Sequence, residues 1–241
     1  MDQSSDIFLP TPLILRLTRT HECAYLPGKI EQRLAADISN HSEHHDKLAR
    51  AGYRRVENWV YKPACKSCQA CLPIRIDASR HQLSRNLQRI WRSNQDLQRV
   101  GTSKSVGEEH YKLFIEYLTQ RHQDGQMAAM SFEEFRNMVH NSPLETFLIE
   151  YRNDANRLIG CMLTDVQSDG LSAVYSFFDP LEDRRSLGSF MIIDLMDLCR
   201  EMDLKWMYLG YYVAESPKML YKSRFQPAEI FKDGLWQPLK S

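Results

Sequence analysis

The stretch Ala173-Val-Tyr-Ser-Phe-Phe178 ends at Asp179-Pro180, passes through Arg184-Arg185-Ser186-Leu187-Gly188-Ser189, and runs on into Phe190–Met202 and Trp206–Val213. It reads as strand, loop, apolar helix and buried strand, and it decides the fold. Upstream, Glu145–Tyr151 and Arg157–Val166 are strand-like, and Ser168-Asp169-Gly170 is a tight-turn signal. Antiparallel strands followed by strand–loop–helix–strand predict a mixed α/β layer. Glu108–His122 precedes it as an amphipathic helix, with Tyr111, Phe114, Ile115 and Leu118 on one face. Thr102–Gly107 reads as a linker.

Towards the N-terminus the pattern changes. Tyr53–Val56, Trp59–Tyr61 and Pro73–Ile76 are strand-like, and a group of thiols lies between the second and third runs. Residues 83–97 read as a helix: Leu83, Leu87, Ile90 and Leu97 recur near a period of 3.6, while Arg85, Arg89 and Arg92 line another face. The fold class is therefore α+β. A small thiol-containing N-terminal unit (1–102) precedes a mixed α/β domain (103–241) whose element order resembles the acyltransferase fold of the acetyltransferase superfamily.

Composition narrows the function classes. Of 241 residues, 43% are hydrophobic and 26% charged, which excludes a disordered or collagen-like chain. No run of about 18 apolar residues occurs, so no membrane partner is expected. Lys+Arg and Asp+Glu both number 31, an apparent argument against a nucleic-acid partner. The distribution reverses that argument, because residues 47–99 hold 12 basic and 3 acidic side chains. The N-terminus begins with acidic residues, and its apolar stretch is cut by Pro10 and Pro12, so no secretory signal is read and a cytoplasmic location is expected. In that compartment clustered thiols favour metal or redox chemistry over disulfides.

Four segments carry chemistry. Cys65-x-x-Cys68-x-x-Cys71, with Cys23 some forty residues earlier, has the pitch at which thiolates hold zinc or an iron–sulfur cluster. Cys161 and Cys199 sit on apolar faces and are expected in the core. A polar segment with His41, His44 and His45 is expected as an exposed loop or helix start. Arg184-Arg185-Ser186-Leu187-Gly188 opens a helix, where backbone N–H groups and the helix dipole favour an anion. Acetyltransferases grip coenzyme A pyrophosphate at this place. Arg185-x-x-Gly188 fits that pattern, but Phe190 replaces its last small residue and is expected to obstruct a phosphate. The block Tyr208-Leu-Gly210-Tyr211-Tyr212, with Lys218, Tyr221 and Lys222 following, interleaves aromatic and basic groups suited to nucleobases and phosphates. The fourth segment is Tyr117-x-x-x-Arg121-His122-x-x-Gly125-x-Met127, in which His122 is a candidate base.

Together with Cys23-Ala-Tyr25-Leu26-Pro27-Gly28, Gly52-Tyr-Arg54-Arg55, Val60-Tyr61-Lys62-Pro63, Asn94-x-Asp96-Leu97 and Phe178-Asp179-Pro180, these segments resemble the bacterial aspartate/glutamate leucyltransferases, a branch of the arginyl-tRNA–protein transferases. The resemblance spans about residues 20–230. It implies an enzyme that moves leucine from its charged tRNA to proteins beginning with Asp or Glu, creating a degradation signal. Aminoacyl-tRNA and such acceptor proteins are its implied partners, and the chemistry requires no cofactor. Position 26, Leu here, is a second cysteine in the eukaryotic relatives, so cluster binding does not carry over automatically. For that reaction Arg54, Arg55, Arg75 and Arg121 are candidates for the acceptor carboxylate. Arg185, Gly188, Lys218 and Lys222 are candidates for the charged tRNA, and His122, Tyr208 and Tyr211 for catalysis. Cys23, Cys65, Cys68 and Cys71 are the candidate metal ligands. An acetyl-coenzyme A-dependent N-acetyltransferase and a non-catalytic zinc-dependent RNA-binding module are the alternatives.

Overall fold

A computed structural model describes residues 12–102, 105–121 and 129–240. Its strands are β1 (Arg16–Leu17), β2 (His21–Glu22), β3 (Ile30–Glu31), β4 (Arg33–Asp37), β5 (Arg54–Val56), β6 (Trp59–Pro63) and β7 (Leu72–Asp77), then β8 (Gln98–Thr102), β9 (Thr146–Arg152), β10 (Leu158–Gln167), β11 (Gly170–Phe178), β12 (Trp206–Tyr212), β13 (Ala228–Lys232) and β14 (Leu235–Pro238). The helices are α1 (His45–Arg50), α2 (Arg85–Arg92), α3 (Glu108–Arg121), α4 (Phe132–His140) and α5 (Leu187–Glu201).

The quoted stretch folds as its pattern dictates. β11, α5 and β12 form the strand–helix–strand unit, and β11 and β12 are parallel neighbours. They sit at the centre of an eight-stranded sheet ordered β14-β13-β7-β12-β11-β10-β9-β8. Its other neighbouring strands are antiparallel. α5 and α2 cover one face, burying Phe190, Ile193 and Met196 of α5 and Leu87 and Ile90 of α2 against Ile74, Ile76, Met207 and Leu209. On the other face α3 and α4 bury Phe114, Leu118 and Phe135 against Leu163 and Phe177. Cys161 and Cys199 lie in these two cores, as their apolar surroundings in sequence require.

A second sheet, β1-β4-β6-β5, carries the small core of Ala36, Ile38, Leu48, Tyr53 and Val60. The division at 102 does not separate the two sheets. β7 pairs with both β12 and β13, and β8 is the edge strand of the large sheet, so residues 72–102 share a layer with the residues that follow. The linker read at 102–107 begins where β8 ends. Among the described residues no helix is long and apolar enough to cross a membrane.

The histidine-rich segment is a helix start, but not an exposed one. A 3-10 turn over Ser42–His44 leads into α1, and both His44 and His45 are buried. Burial pushes the His45 imidazole down to about 4 from its ordinary 6.5, against the opposing pull of Asp165. The unfolded chain therefore binds a proton between those values that the folded chain refuses. This contribution to stability is complete above pH 6.5 and is lost as pH falls towards 4. Urea unfolding should show a loss of about 2 kcal/mol from this group between pH 8 and pH 5. His45→Gln should remove that part of the slope, and an unchanged slope would contradict the assignment.

Candidate active site

The central parallel pair opens into a fork. β11 and β12 are hydrogen-bonded only over Gly170–Ser172 and Trp206–Tyr208. Beyond Ser172, β11 stays with β10. Beyond Tyr208, β12 stays with β7, but with one extra residue: Tyr208 faces Arg75 and Tyr211 faces Pro73. This bulge centres on Gly210, whose φ of +75° is a left-handed conformation that glycine adopts without strain. The bulge also puts Tyr208 and Tyr211 on the same face of the sheet, although they are an odd number of residues apart. Met207, Leu209 and Tyr212 point into the core with α5.

Two cations reach the fork from different parts of the chain. Arg54 of β5 donates from Nη2 to the carbonyl of Ala173 at 3.1 Å, the first residue of β11 past the paired stretch. Lys222, in the 3-10 turn Leu220–Arg224, donates from Nζ to the carbonyl of Tyr211 at 2.7 Å. A methyl group on Gly210 would lie 3.4 Å from Lys222 Nζ and 3.7 Å from Arg54 Nη2. Lys222 is 7% exposed, and burial and the charge of Arg54 push its ammonium down to about 7. Burial likewise lowers the Arg54 guanidinium. Among the described residues neither cation has a carboxylate in ion-pair range; Asp165, which acts on Arg54 from further away, is bound to Arg55.

Tyrosines wall the fork. Tyr25 and Tyr221 are each pushed up to about 12, first by burial and then by neighbouring phenols. Tyr117 and Tyr175 are raised by burial too, and the Tyr117 ring lies 4.9 Å from that of Phe178. Gly188 lies beside the same phenyl ring, 3.4 Å from where its side chain would begin. Arg121, at the exposed end of α3, sits 5.9 Å from the Phe178 ring centroid.

Several expected roles change once the side chains are placed. Arg55 is not open to a substrate: it holds Asp165 through two bonds of 2.6 Å, and both side chains are 1% exposed. Arg75 is stacked 3.7 Å from the Trp206 ring centroid and 4.2 Å from that of Trp236, with Glu229 on its outer edge at 2.7 Å. It lines a separate cleft of about 700 Å3 with Arg50 and Lys205. Arg185 is spent on Asn94, Asp96 and the carbonyl of Ser93, so it ties the end of α2 to the start of α5. Phe190 does not obstruct a ligand either, because its ring is buried 5.6 Å from both Trp91 and Tyr151. Lys218 is exposed, but Lys222 is buried and cannot meet a tRNA surface. The Tyr208 hydroxyl donates to Asp169, and the Tyr211 hydroxyl to the carbonyls of Gly52 and Tyr61, which leaves neither with a donor for an oxyanion. His122 lies outside the described residues.

The four candidate ligand cysteines carry free thiols. Burial pushes Cys71 up to about 12, and the nearby sulfurs of Cys23, Cys65 and Cys68 add to the shift. They are thus neighbours whose mutual repulsion a cation would relieve. A tighter trio of potential ligand atoms, all within 4.8 Å, is His41, Glu43 and His44. Sequence reading missed it because Glu43 was not counted with the histidines. It also missed the Arg55–Asp165 pair, whose partners are 110 residues apart.

The open parallel fork, with tyrosines around it and Arg54 and Lys222 reaching into it, is the candidate substrate site. The chain matches the family model "Arginine-tRNA-protein transferase, N terminus" over residues 21–89 and its C-terminal counterpart over 109–232. Among curated proteins it is 40% identical over 241 residues to the aspartate/glutamate leucyltransferase of Granulibacter bethesdensis, covering 99% of this chain and 90% of that one. It is 43% identical to that of Paracoccus denitrificans over 92% of this chain and 84% of the relative. The chain belongs to the aspartate/glutamate leucyltransferase family and is an aminoacyltransferase. In fold it is similar to the C-terminal domain of a chain described as a lysylphosphatidylglycerol synthetase from Agrobacterium fabrum, with TM-score 0.50 and 14% identity over 81% of this chain and 62% of that one.

The Arg55–Asp165 pair is a buried, two-bond link between the two sheets, and its loss is expected to be structural. Arg55→Ala strands a buried carboxylate and should lower the free energy of unfolding by about 3–5 kcal/mol. Denaturant melts would show this, and a variant as stable as the wild type would contradict it.

Proposed function

We propose that the protein transfers leucine from leucyl-tRNA to the α-amine of proteins whose first residue is Asp or Glu, marking them for degradation in the cytoplasm. The observation that carries this reading is the fork. A parallel pair that separates after three residue pairs leaves main-chain groups of both strands without strand partners, beside a cationic floor. An aminoacyl ester is already activated, so its transfer mainly requires orientation of ester and amine. The acceptor nitrogen attacks the ester carbonyl. The carbon–nitrogen bond forms, the carbon–oxygen bond to the ribose breaks, and the ribose hydroxyl leaves with a proton. Donors for the tetrahedral oxyanion come from the open strand edges, since the hydroxyls of Tyr208 and Tyr211 are already bonded. His122 stays the proposed base.

Of the arginines expected at the acceptor side chain, Arg55 and Arg75 are committed to Asp165 and Glu229, whereas Arg54 reaches the fork. The basic excess over 47–99 is correspondingly smaller on the surface. Arg85, Arg89 and Arg92 of α2 remain exposed and are the proposed phosphate contacts, with Lys218. Arg185, bound within the protein, does not supply the pyrophosphate grip of an acetyl-coenzyme A enzyme.

The soft thiol donors Cys23, Cys65, Cys68 and Cys71 suit a thiophilic centre, zinc or iron–sulfur, but no three of their sulfurs lie within 4.8 Å of one another, so the β2–β3 hairpin and the β6–β7 connection would have to draw together to hold it. Such a centre would supply structural cross-linking and leaves the transfer chemistry to the fork. Metal analysis after anaerobic purification should find one centre per chain, lost on replacing Cys71 with Ser. Metal-free protein with four reactive thiols would overturn it.

The direct test supplies labelled leucyl-tRNA and an Asp-starting peptide, with arginyl-tRNA in parallel. Leucine should appear on the peptide's α-amine. Binding of tRNA should weaken about 10-fold or more between 50 and 200 mM salt. Absence of leucyl transfer, or a flat salt titration, would refute the corresponding part of the reading.

A further inference from the structure

Arg54 and Lys222 form a pair that most buried cations do not. Each is held by a single backbone carbonyl, Ala173 on one prong and Tyr211 on the other. A guanidinium has five N–H donors and an ammonium three, so donors are left over on both. The two groups converge on one point above Gly210, where a side chain would stand if the residue were not glycine. Other deep or stacked arginines of this protein have a carboxylate at hand: Asp165 for Arg55 and Glu229 for Arg75. Two like charges brought together away from water cost stability unless an anion joins them. Lys222 is nearly closed off, while Arg54 is partly open, so the approach to the pair is from the Arg54 side.

We propose that Arg54 and Lys222 clamp the side-chain carboxylate of the acceptor's first residue over Gly210, and that this clamp is what selects Asp and Glu over their amides. The inference rests on the leucyl-transfer reading for the identity of the acceptor. The carboxylate takes the place of the missing counter-ion, with one oxygen accepting from each cation. Asn or Gln in the same place leaves the two cations uncompensated and turns an amide N–H2 towards donors. Gly210 keeps the seat vacant; a methyl group there would occupy it, in contact with Nζ at 3.4 Å, and would be strained by the positive φ. Lys222 is thereby moved from the tRNA contacts, where its sequence context placed it, to the acceptor.

The test compares matched peptides beginning with Asp and with Asn, in wild type, Lys222→Met and Arg54→Gln. Two readouts are taken: kcat/KM for leucyl transfer, and peptide binding without tRNA by fluorescence anisotropy. Lys222→Met removes a desolvated charge at nearly constant volume but also the donor to the Tyr211 carbonyl, so a thermal melt first establishes that the variant is folded. The ratio of Asp to Asn peptide should fall about 10- to 100-fold in both variants and both readouts, the range expected for a lost charge-assisted bond. Gly210→Ala is the second route should either replacement fail to fold, and it should lower the same ratio. An unchanged ratio in folded variants overturns the clamp. If the wild type binds Asp peptide in preference to Asn but transfers no leucine, the transfer reading fails and the clamp stands.

Discussion

The bond between Arg55 and Asp165 is the contact on which the site depends. It fastens a strand of the small sheet to β10 of the large one, inside a region from which water is excluded. Adjacent residues of a strand point to opposite faces. Once Arg55 is turned into the interface, Arg54 must turn the other way, and what lies there is the fork between β11 and β12. One arginine is thus spent on docking two sheets so that its neighbour can stand in the cleft. The hydroxyl of Tyr211, bonded to the carbonyls of Gly52 and Tyr61, reinforces the same junction from the other side.

The fork has its own requirement. Parallel neighbours that stayed paired along their length would leave no room for substrate. The bulge at Gly210 holds Tyr211 on the face of the small sheet and leaves Tyr212 in the core. The positive φ of Gly210 permits the bulge, and the missing side chain permits the approach of two cations. Backbone conformation and electrostatics are therefore set by one residue. The cost is a buried lysine beside a partly open arginine with, among the described residues, no carboxylate in ion-pair range of either, a strain of the kind found where a ligand completes the structure.

Much of this was legible in the sequence, and the failures have physical causes. Strong periodicity gave β9, β10, β12 and α3 nearly to the residue, because their apolar faces are broad and buried, whereas β11 and α5 begin at Gly170 and Leu187, earlier than the Ala173 and Phe190 read from the sequence. The mixed α/β layer followed from the order of elements. α4 was passed over, although Ser131 and Glu134 spell a capping box that the structure forms. The hairpin of β13 and β14 was also missed, despite Asp233-Gly234 at its turn. At the site, the side-chain partners of the candidate residues were not legible. Sequence spacing cannot distinguish Arg54 from Arg55, because the difference is which face meets Asp165 more than a hundred positions away. Nor can it show that Arg185 is consumed by Asn94 and Asp96, although those residues stood out in the same set of motifs. Part of the positive excess over 47–99 does not reach the surface, since Arg55 is held by Asp165 and Arg54 is turned towards the fork.

The most direct measurement is a crystal structure of the protein with a bound Asp-starting dipeptide. The side-chain carboxylate should lie over Gly210 between Arg54 Nη2 and Lys222 Nζ, with the α-amine facing the open strand edges and Arg55 still on Asp165. A carboxylate found on Arg75, on Arg121 or outside the fork would contradict the account.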